Sequence, residues 1–302
     1  MEYAIKTKEL TKKYGNKIAV DCVNINVPKG KIYALLGRNG AGKTTTMKMM
    51  LKLIRPSKGK VKFIEGNNEK EIYKKIGSII EAPGFYENLN GYENLKILWI
   101  LRGRKSKGEI LKALQLVGLE KEKNKKFRDY SLGMKQRLGI AAAIMHDPEI
   151  LILDEPINGL DPIGIYKVRS ILLNLSHNKG KTIFISSHLL GEIEQIADVI
   201  GIMNNGKIIE EIDMEKLHKL KKHYIEFQVS HIEKAEKVIK EILGITDYDT
   251  VENKIRIYSC AQKSYEINKC LVENKIMVSK IEEYEESLEE YFGGIIGGDG
   301  IA

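Results

Sequence analysis

Two stretches near the N-terminus, Tyr3–Leu10 and Val20–Val27, alternate apolar and polar residues with the period of half-buried strands. They flank a turn at Lys13-Tyr14-Gly15-Asn16-Lys17. Pro28-Lys29-Gly30 leads into Lys31–Leu36, a buried strand, and Thr45–Leu51 reads as a helix closed by Pro56-Ser57-Lys58-Gly59. Lys60–Ile64 begins another strand. From Gly84 to His146 the period becomes helical, with segments at Tyr92–Leu101, Lys107–Val117 and Leu132–Met145. Leu151–Leu153 and Thr182–Ser186 are short aliphatic or β-branched runs, the pattern of parallel strands covered on both faces. Val199–Met203 and Lys207–Glu211 predict a hairpin around Asn204-Asn205-Gly206.

Past Leu220 the texture changes. Strands are expected at Tyr224–Val229, Lys254–Tyr258 and Ile276–Ile281, with helices at Ile232–Leu243, Tyr265–Asn274 and Ser287–Phe292. The domain layout expected is 1–218 as the main domain, its helical subdomain at about 84–147, then 219–293 as a small α/β appendage. Residues 294–302 close the chain as a Gly-rich, mobile tail.

Composition narrows the class. The 302 residues suit one large or two smaller soluble domains, and the apolar runs are far too short to cross a bilayer. The N-terminus lacks the basic-then-apolar layout of a secretory signal, which points to a cytoplasmic location. Cys22, Cys260 and Cys270 are odd in number and not spaced as metal ligands, so reduced structural cysteines are expected. The net charge of +8 suits anionic membrane surfaces, nucleic acid or nucleotides, but it is spread along the chain, which favours reading it as a solvated basic surface.

Candidate chemistry begins at Gly37-Arg38-Asn39-Gly40-Ala41-Gly42-Lys43-Thr44, which fits G-x-x-x-x-G-K-[ST] at every fixed position. Glycines let the backbone wrap a phosphate chain, and consecutive N–H groups form an anion nest. Lys43 reaches the β- and γ-phosphates and the Thr44 hydroxyl ligates Mg²⁺, while the helix N-terminus at Thr45 faces the phosphates. A second element is Leu151-Ile152-Leu153-Asp154-Glu155-Pro156, an apolar strand ending in two acids. Asp154 sits where it can hold Mg²⁺ through water, and Glu155 where it can polarise an attacking water. A third is Tyr130-Ser131-Leu132-Gly133-Met134-Lys135-Gln136-Arg137, ahead of a helix. Ser131 and Gly133 offer a second phosphate surface, or Ser131 is simply a helix cap.

In this order and spacing the chain resembles the ATP-binding subunits of ABC transporters, over Tyr3 to Glu211. Asn158-Gly159-Leu160-Asp161 matches the D-loop and Ser187-His188 the switch histidine. The resemblance implies an α/β fold: a P-loop NTPase (RecA-like) core with an antiparallel β subdomain and a helical subdomain, carrying the small C-terminal α/β appendage. It also implies an ATPase with ATP and Mg²⁺ as cofactors, in which Tyr14 stacks on adenine and His188 bonds the γ-phosphate beside the catalytic Glu155. Ser131, Gly133, Met134 and Asp161 then serve the nucleotide of a second copy in a head-to-tail homodimer. The implied partner is an integral-membrane permease, placing the chain at the cytoplasmic face of the membrane, with no nucleic acid.

Two departures refine the branch. The usual Leu-Ser-Gly-Gly-Gln is here Tyr130-Ser131-Leu132-Gly133-Met134, similar to the drug, bacteriocin and ABC-2-type export branch. Glu81, in Ile79-Ile80-Glu81-Ala82-Pro83-Gly84-Phe85, stands where the family usually has Gln and resembles the "E-loop" of lantibiotic immunity transporters. Bacitracin-resistance ATPases share this texture. Glu81 either ligates Mg²⁺ as a hard oxygen donor, which makes it a further metal candidate, or repels the γ-phosphate and slows turnover. The function expected is to energise export of, or immunity to, an antimicrobial peptide or drug. The alternatives are an ABC-2 exporter of another cargo and a soluble ABC ATPase acting on ribosomes or nucleic acid. The latter usually carries two cassettes or a long coiled coil, whereas this chain has one cassette and no heptad run.

Overall fold

The computed structural model describes residues 2–63, 72–81, 84–103, 108–258 and 264–296. It divides into two compact units, Met1–Lys216 and Leu217–Gly300.

In the first unit, β1 (Tyr3–Tyr14), β2 (Lys17–Val23) and β3 (Asn26–Pro28) form an antiparallel sheet in the order β2-β1-β3. The alternation in the sequence suggests that the first strand ends at Leu10, but it continues to Tyr14. A register shift between Leu10 and Lys12, next to Glu9 with φ 49°, breaks the period without ending the strand. Likewise Val20–Val27 is not one strand. The chain leaves the sheet after Val23 and re-enters on the opposite side of β1, with Cys22 at φ 49°.

A second sheet is the floor of the unit. Strands β4 (Ile32–Leu36), β5 (Lys58–Phe63) and β6 (Ile76–Ile79) come next, β5 adding to β1. Helix α1 (Lys43–Met50) lies between β4 and β5. Helices α2 (Gly91–Leu101), α3 (Gly108–Leu116) and α4 (Leu132–Ile144) follow, then β7 (Ile150–Leu153), α5 (Pro162–Leu173) and β8 (Thr182–Ser187). After a short helix α6 (Leu190–Glu194) come β9 (Val199–Asn204) and β10 (Lys207–Asp213). The sheet order is β10-β9-β4-β8-β7-β6, parallel except for β10. Every residue of β4, β7 and β8 is buried, as expected of parallel strands covered on both faces. This brings the ends of β4, β7 and β8 side by side, where ligands bind in open α/β sheets.

Helix α7 (Met214–Leu220) carries the boundary between the units. The second unit is an antiparallel sheet of β11 (His223–Val229), β12 (Tyr248–Val251), β13 (Lys254–Ile257) and β14 (Val278–Glu285), ordered β12-β13-β11-β14. Helices α8 (Ile232–Lys237, prolonged by a wider turn at Val238–Ile242) and α9 (Ser264–Glu273) pack Ala235, Ile239, Ile267 and Leu271 on Ile225, Phe227, Ile255 and Ile257. The last strand begins and ends later than its apolar pattern suggests, so Glu282, Glu283 and Glu285 lie on an edge strand. Helix α10 (Leu288–Ile296) runs three residues into the stretch expected as tail; 297–302 lie outside the described residues. So do Lys107, Ala82, Pro83 and Cys260. Cys22 and Cys270 are free thiols. Among the described residues no helix is long and apolar enough to cross a membrane.

Candidate active site

The loop between β4 and α1 closes tightly on itself. Gly42 sits at φ 111°, and a Cβ there would run into the Ala19 carbonyl oxygen, so no other residue fits. Lys43 is 5 % exposed. Its Nζ donates to the carbonyl oxygens of Gly37 at 2.5 Å and Arg38 at 3.3 Å, and pairs with Glu155 Oε1 at 3.3 Å. The loop from Arg38 to Thr45 opens into a cavity of 580 Å³, completed by Tyr14, Ile18, Glu155, Asn205 and Gly206. Gly37, Asn39, Gly40 and Ala41 shape this loop, and Thr45 lies on its far rim in the first turn of α1. Tyr14 is half exposed at the mouth, with the Lys12 ammonium 5.0 Å from its ring centre.

The carboxylates at the end of β7 join this loop. Thr44 Oγ1 donates to Asp154 Oδ2 at 2.9 Å, and Ser186 Oγ donates to Asp154 Oδ1 at 2.6 Å. Asp154 is buried, and both its oxygens are engaged by hydroxyls from neighbouring elements. Glu155 follows at φ 47°, a left-handed backbone that costs a non-glycine residue of order 1–3 kcal/mol. Its side chain lies between Lys43 and His188, whose Nδ1 is 3.0 Å from Oε2. Thr44 and Asp154 are hard oxygen donors in contact, a donor set that suits Mg²⁺.

Glu81 follows β6 at φ 63° and makes a 2.6 Å ion pair with Lys48 of α1. That hydrogen bond holds the Lys48 amine above its ordinary pKa, and Asp154 adds to the effect. Glu81 is thus engaged by the Lys48 ammonium, which Asp154 also influences. Both partners are partly exposed, so the pair contributes roughly 0–1 kcal/mol.

Ser131, Gly133, Met134 and Asp161 do not line this cavity within the chain. Ser131 Oγ accepts from the Met134 amide at 3.3 Å and caps α4. Asp161 Oδ1 accepts from the Gly164 amide at 3.0 Å and caps α5. Sequence reasoning missed Ser186, Lys48 and Asn205. Ser186 had a usable signal: strand periodicity puts it on the same side of the chain as His188. Lys48 had none, because its partner comes from a different element.

Residues 20–158 match the family model described as ABC transporter. The chain is 58 % identical to the bacitracin transport ATP-binding protein BcrA of Enterococcus faecalis, across 100 % of this chain and 99 % of the relative. This chain belongs to the ABC transporter ATP-binding family. BcrA of Bacillus licheniformis is 49 % identical across the full length of both chains. The lantibiotic transport ATP-binding protein SrtF of Streptococcus pyogenes is 44 % identical, the match spanning 74 % of this chain and 98 % of SrtF. Among solved structures, the ATP-binding cassette MJ0796, a dimer in a post-hydrolysis state bound to ADP and Pi, is similar at 26 % identity. Its TM-score is 0.63, with 70 % of this chain and 98 % of that one covered. The chain is thus an ATP-hydrolysing subunit of the ABC transporter type, built on the cassette fold.

Proposed function

We propose that this ABC ATPase energises a permease that exports a peptide antibiotic of the bacitracin or lantibiotic kind, or confers immunity to it. Two relatives that match over essentially their full length are named for bacitracin transport and a shorter one for lantibiotic transport, which supports this cargo class. The chain would work at the cytoplasmic face of the membrane through its permease.

The observation that carries the chemistry is Glu155 held between Lys43 and His188. Lys43 and the loop N–H groups from Arg38 to Thr45 bind the phosphate chain, and Tyr14 at the cavity mouth stacks on adenine. Thr44 and Asp154 would hold Mg²⁺, with Glu81 as a further oxygen donor once released from Lys48; the ion supplies charge neutralisation on the phosphates. Glu155 accepts the proton of a water as its oxygen bonds to the γ-phosphorus and the bond to the β-phosphate oxygen breaks. His188 orients the Glu155 carboxylate and meets the γ-phosphate. Two copies associate head to tail, the Ser131–Met134 segment and Asp161 of one closing over the nucleotide of the other. The dimeric MJ0796 cassettes support association into a dimer.

The test is ATP turnover by Glu155→Gln beside the native chain, with size exclusion in ATP. Loss of turnover with a trapped dimer is expected; native-like turnover would remove Glu155 from its role. For cargo, cells lacking the chain should gain sensitivity to bacitracin or a lantibiotic, and the native chain but not Glu155→Gln should restore resistance. Unchanged sensitivity to both would reject this cargo class.

A further inference from the structure

We propose that Ser186 is the positioning residue that sets both carboxylates of the site, and through them metal affinity and turnover. The inference rests on the reading of Asp154 as metal ligand and Glu155 as base, and adds a residue to which that reading gives no role.

Ser186 is fully buried in β8. Its Oγ accepts from the Glu155 backbone amide at 2.9 Å and donates to Asp154 Oδ1 at 2.6 Å. A hydroxyl has one proton and two lone pairs, and an amide can only donate, so the directions are fixed: the hydroxyl proton belongs to Asp154. Thr44 holds the other Asp154 oxygen, so the carboxylate is gripped from both α1 and β8.

The Glu155 end is equally determined. A left-handed non-glycine residue persists only where its surroundings hold it there. Ser186 takes the Glu155 N–H, and the Asn158 amide donates to the Glu155 carbonyl oxygen at 3.2 Å. Two residues beyond Ser186, His188 meets the Glu155 side chain at 3.0 Å. One strand end therefore fixes the backbone and the carboxylate of the same residue. Removing the Ser186 hydroxyl leaves the Glu155 N–H and one oxygen of the buried Asp154 carboxylate each short of a partner.

Groups that orient metal ligands typically change affinity or activity about 10–100-fold when lost. The test uses the full chain with Ser186→Ala and Ser186→Thr, alongside Asp154→Asn and Glu155→Gln. It measures kcat, KM for ATP, Mn²⁺ affinity in the presence of ADP by electron paramagnetic resonance, and thermal midpoint. Ser186→Ala is expected to lower kcat about 10–100-fold and to weaken Mn²⁺ binding in parallel. KM for ATP should move less than about threefold, because the phosphate loop is untouched. Ser186→Thr, which keeps the hydroxyl, should restore most of both losses. If threonine packs too tightly for the chain to fold, Ser186→Cys takes its place and should fall between serine and alanine.

Ser186→Ala with native kcat and Mn²⁺ affinity, whatever its melting temperature, would overturn the proposal. So would equal losses in alanine and hydroxyl-bearing variants that are folded. The underlying reading fails separately: it falls if Asp154→Asn and Glu155→Gln turn over ATP like the native chain.

Discussion

Tyr33 shows what one polar atom demands of a packed interior. Its ring is fully buried and stacks on Phe184 at 5.2 Å, while its hydroxyl donates to Glu211 Oε2 at 2.8 Å. Burial, then Glu211, pushes its pKa well above the ordinary value. Gly201 on β9 leaves room for that hydroxyl; a Cβ there would collide with it. Gly201→Ala should therefore cost about 1–3 kcal/mol in urea unfolding. Adding Tyr33→Phe should recover part of that loss, because the colliding atom is gone. A double mutant no more stable than Gly201→Ala would place the strain elsewhere. Glu226 gives a pH prediction. Lys254 at 2.6 Å and Arg256 at 2.9 Å hold its carboxyl below the ordinary 4.5. A depressed carboxyl contributes stability above its unfolded pKa and loses it as pH falls through its folded pKa. Between pH 6 and pH 3, the native chain should thus lose its stability advantage over Glu226→Gln below about pH 4.5. A constant gap would show that the ion pairs do not matter.

Among the elements, local caps decide where helices begin. Asn90 and Glu93 form a complete capping box at the start of α2, with hydrogen bonds of 2.8 and 2.9 Å. Asn90→Ala should cost about 1 kcal/mol in unfolding without changing ATP turnover. Asp161 also caps a helix but belongs to the candidate dimer surface, so Asp161→Ala should lower both stability and ATP-driven dimerisation. An effect on stability alone would leave it a cap. The same scale explains what could be read from the chain. The phosphate loop, the Asp154–Glu155 strand and the buried parallel strands were legible because each is a local pattern with one physical reading. Strand β6 was missed because Gly77 and Ser78 interrupt its apolar run, whereas β7, of the same length, is aliphatic throughout. Helix α5 was missed although Asp161-Pro162 is a cap followed by an N1 proline, because Asp161 is also the last residue of the D-loop match. The pairs Lys48–Glu81 and Ser186–Asp154 join residues far apart in sequence, and no local pattern encodes them.

On the scale of the molecule, each unit contains a buried apolar cluster of its own. The SrtF match, spanning 98 % of that relative but 74 % of this chain, is to a cassette of about the first unit's length. A chain ending at Lys222, which keeps all of α7, should therefore retain ATP binding, measured by a fluorescent nucleotide. Loss of binding with an unfolded circular dichroism spectrum would show that the appendage is needed for folding.

Strand β14 closes one side of the appendage sheet and is exposed along most of its length. A strand at a sheet margin is an open template, because another chain can continue its ladder. Here Glu282, Glu283 and Glu285 interrupt the apolar residues of that margin. Charged side chains on such a margin disfavour the addition of a neighbouring chain, although these three also pair with Lys280, His223 and Lys221, so removing their charge is expected to favour association at high concentration. Replacing them with glutamine should raise light scattering on concentration while ATP turnover in dilute solution stays the same.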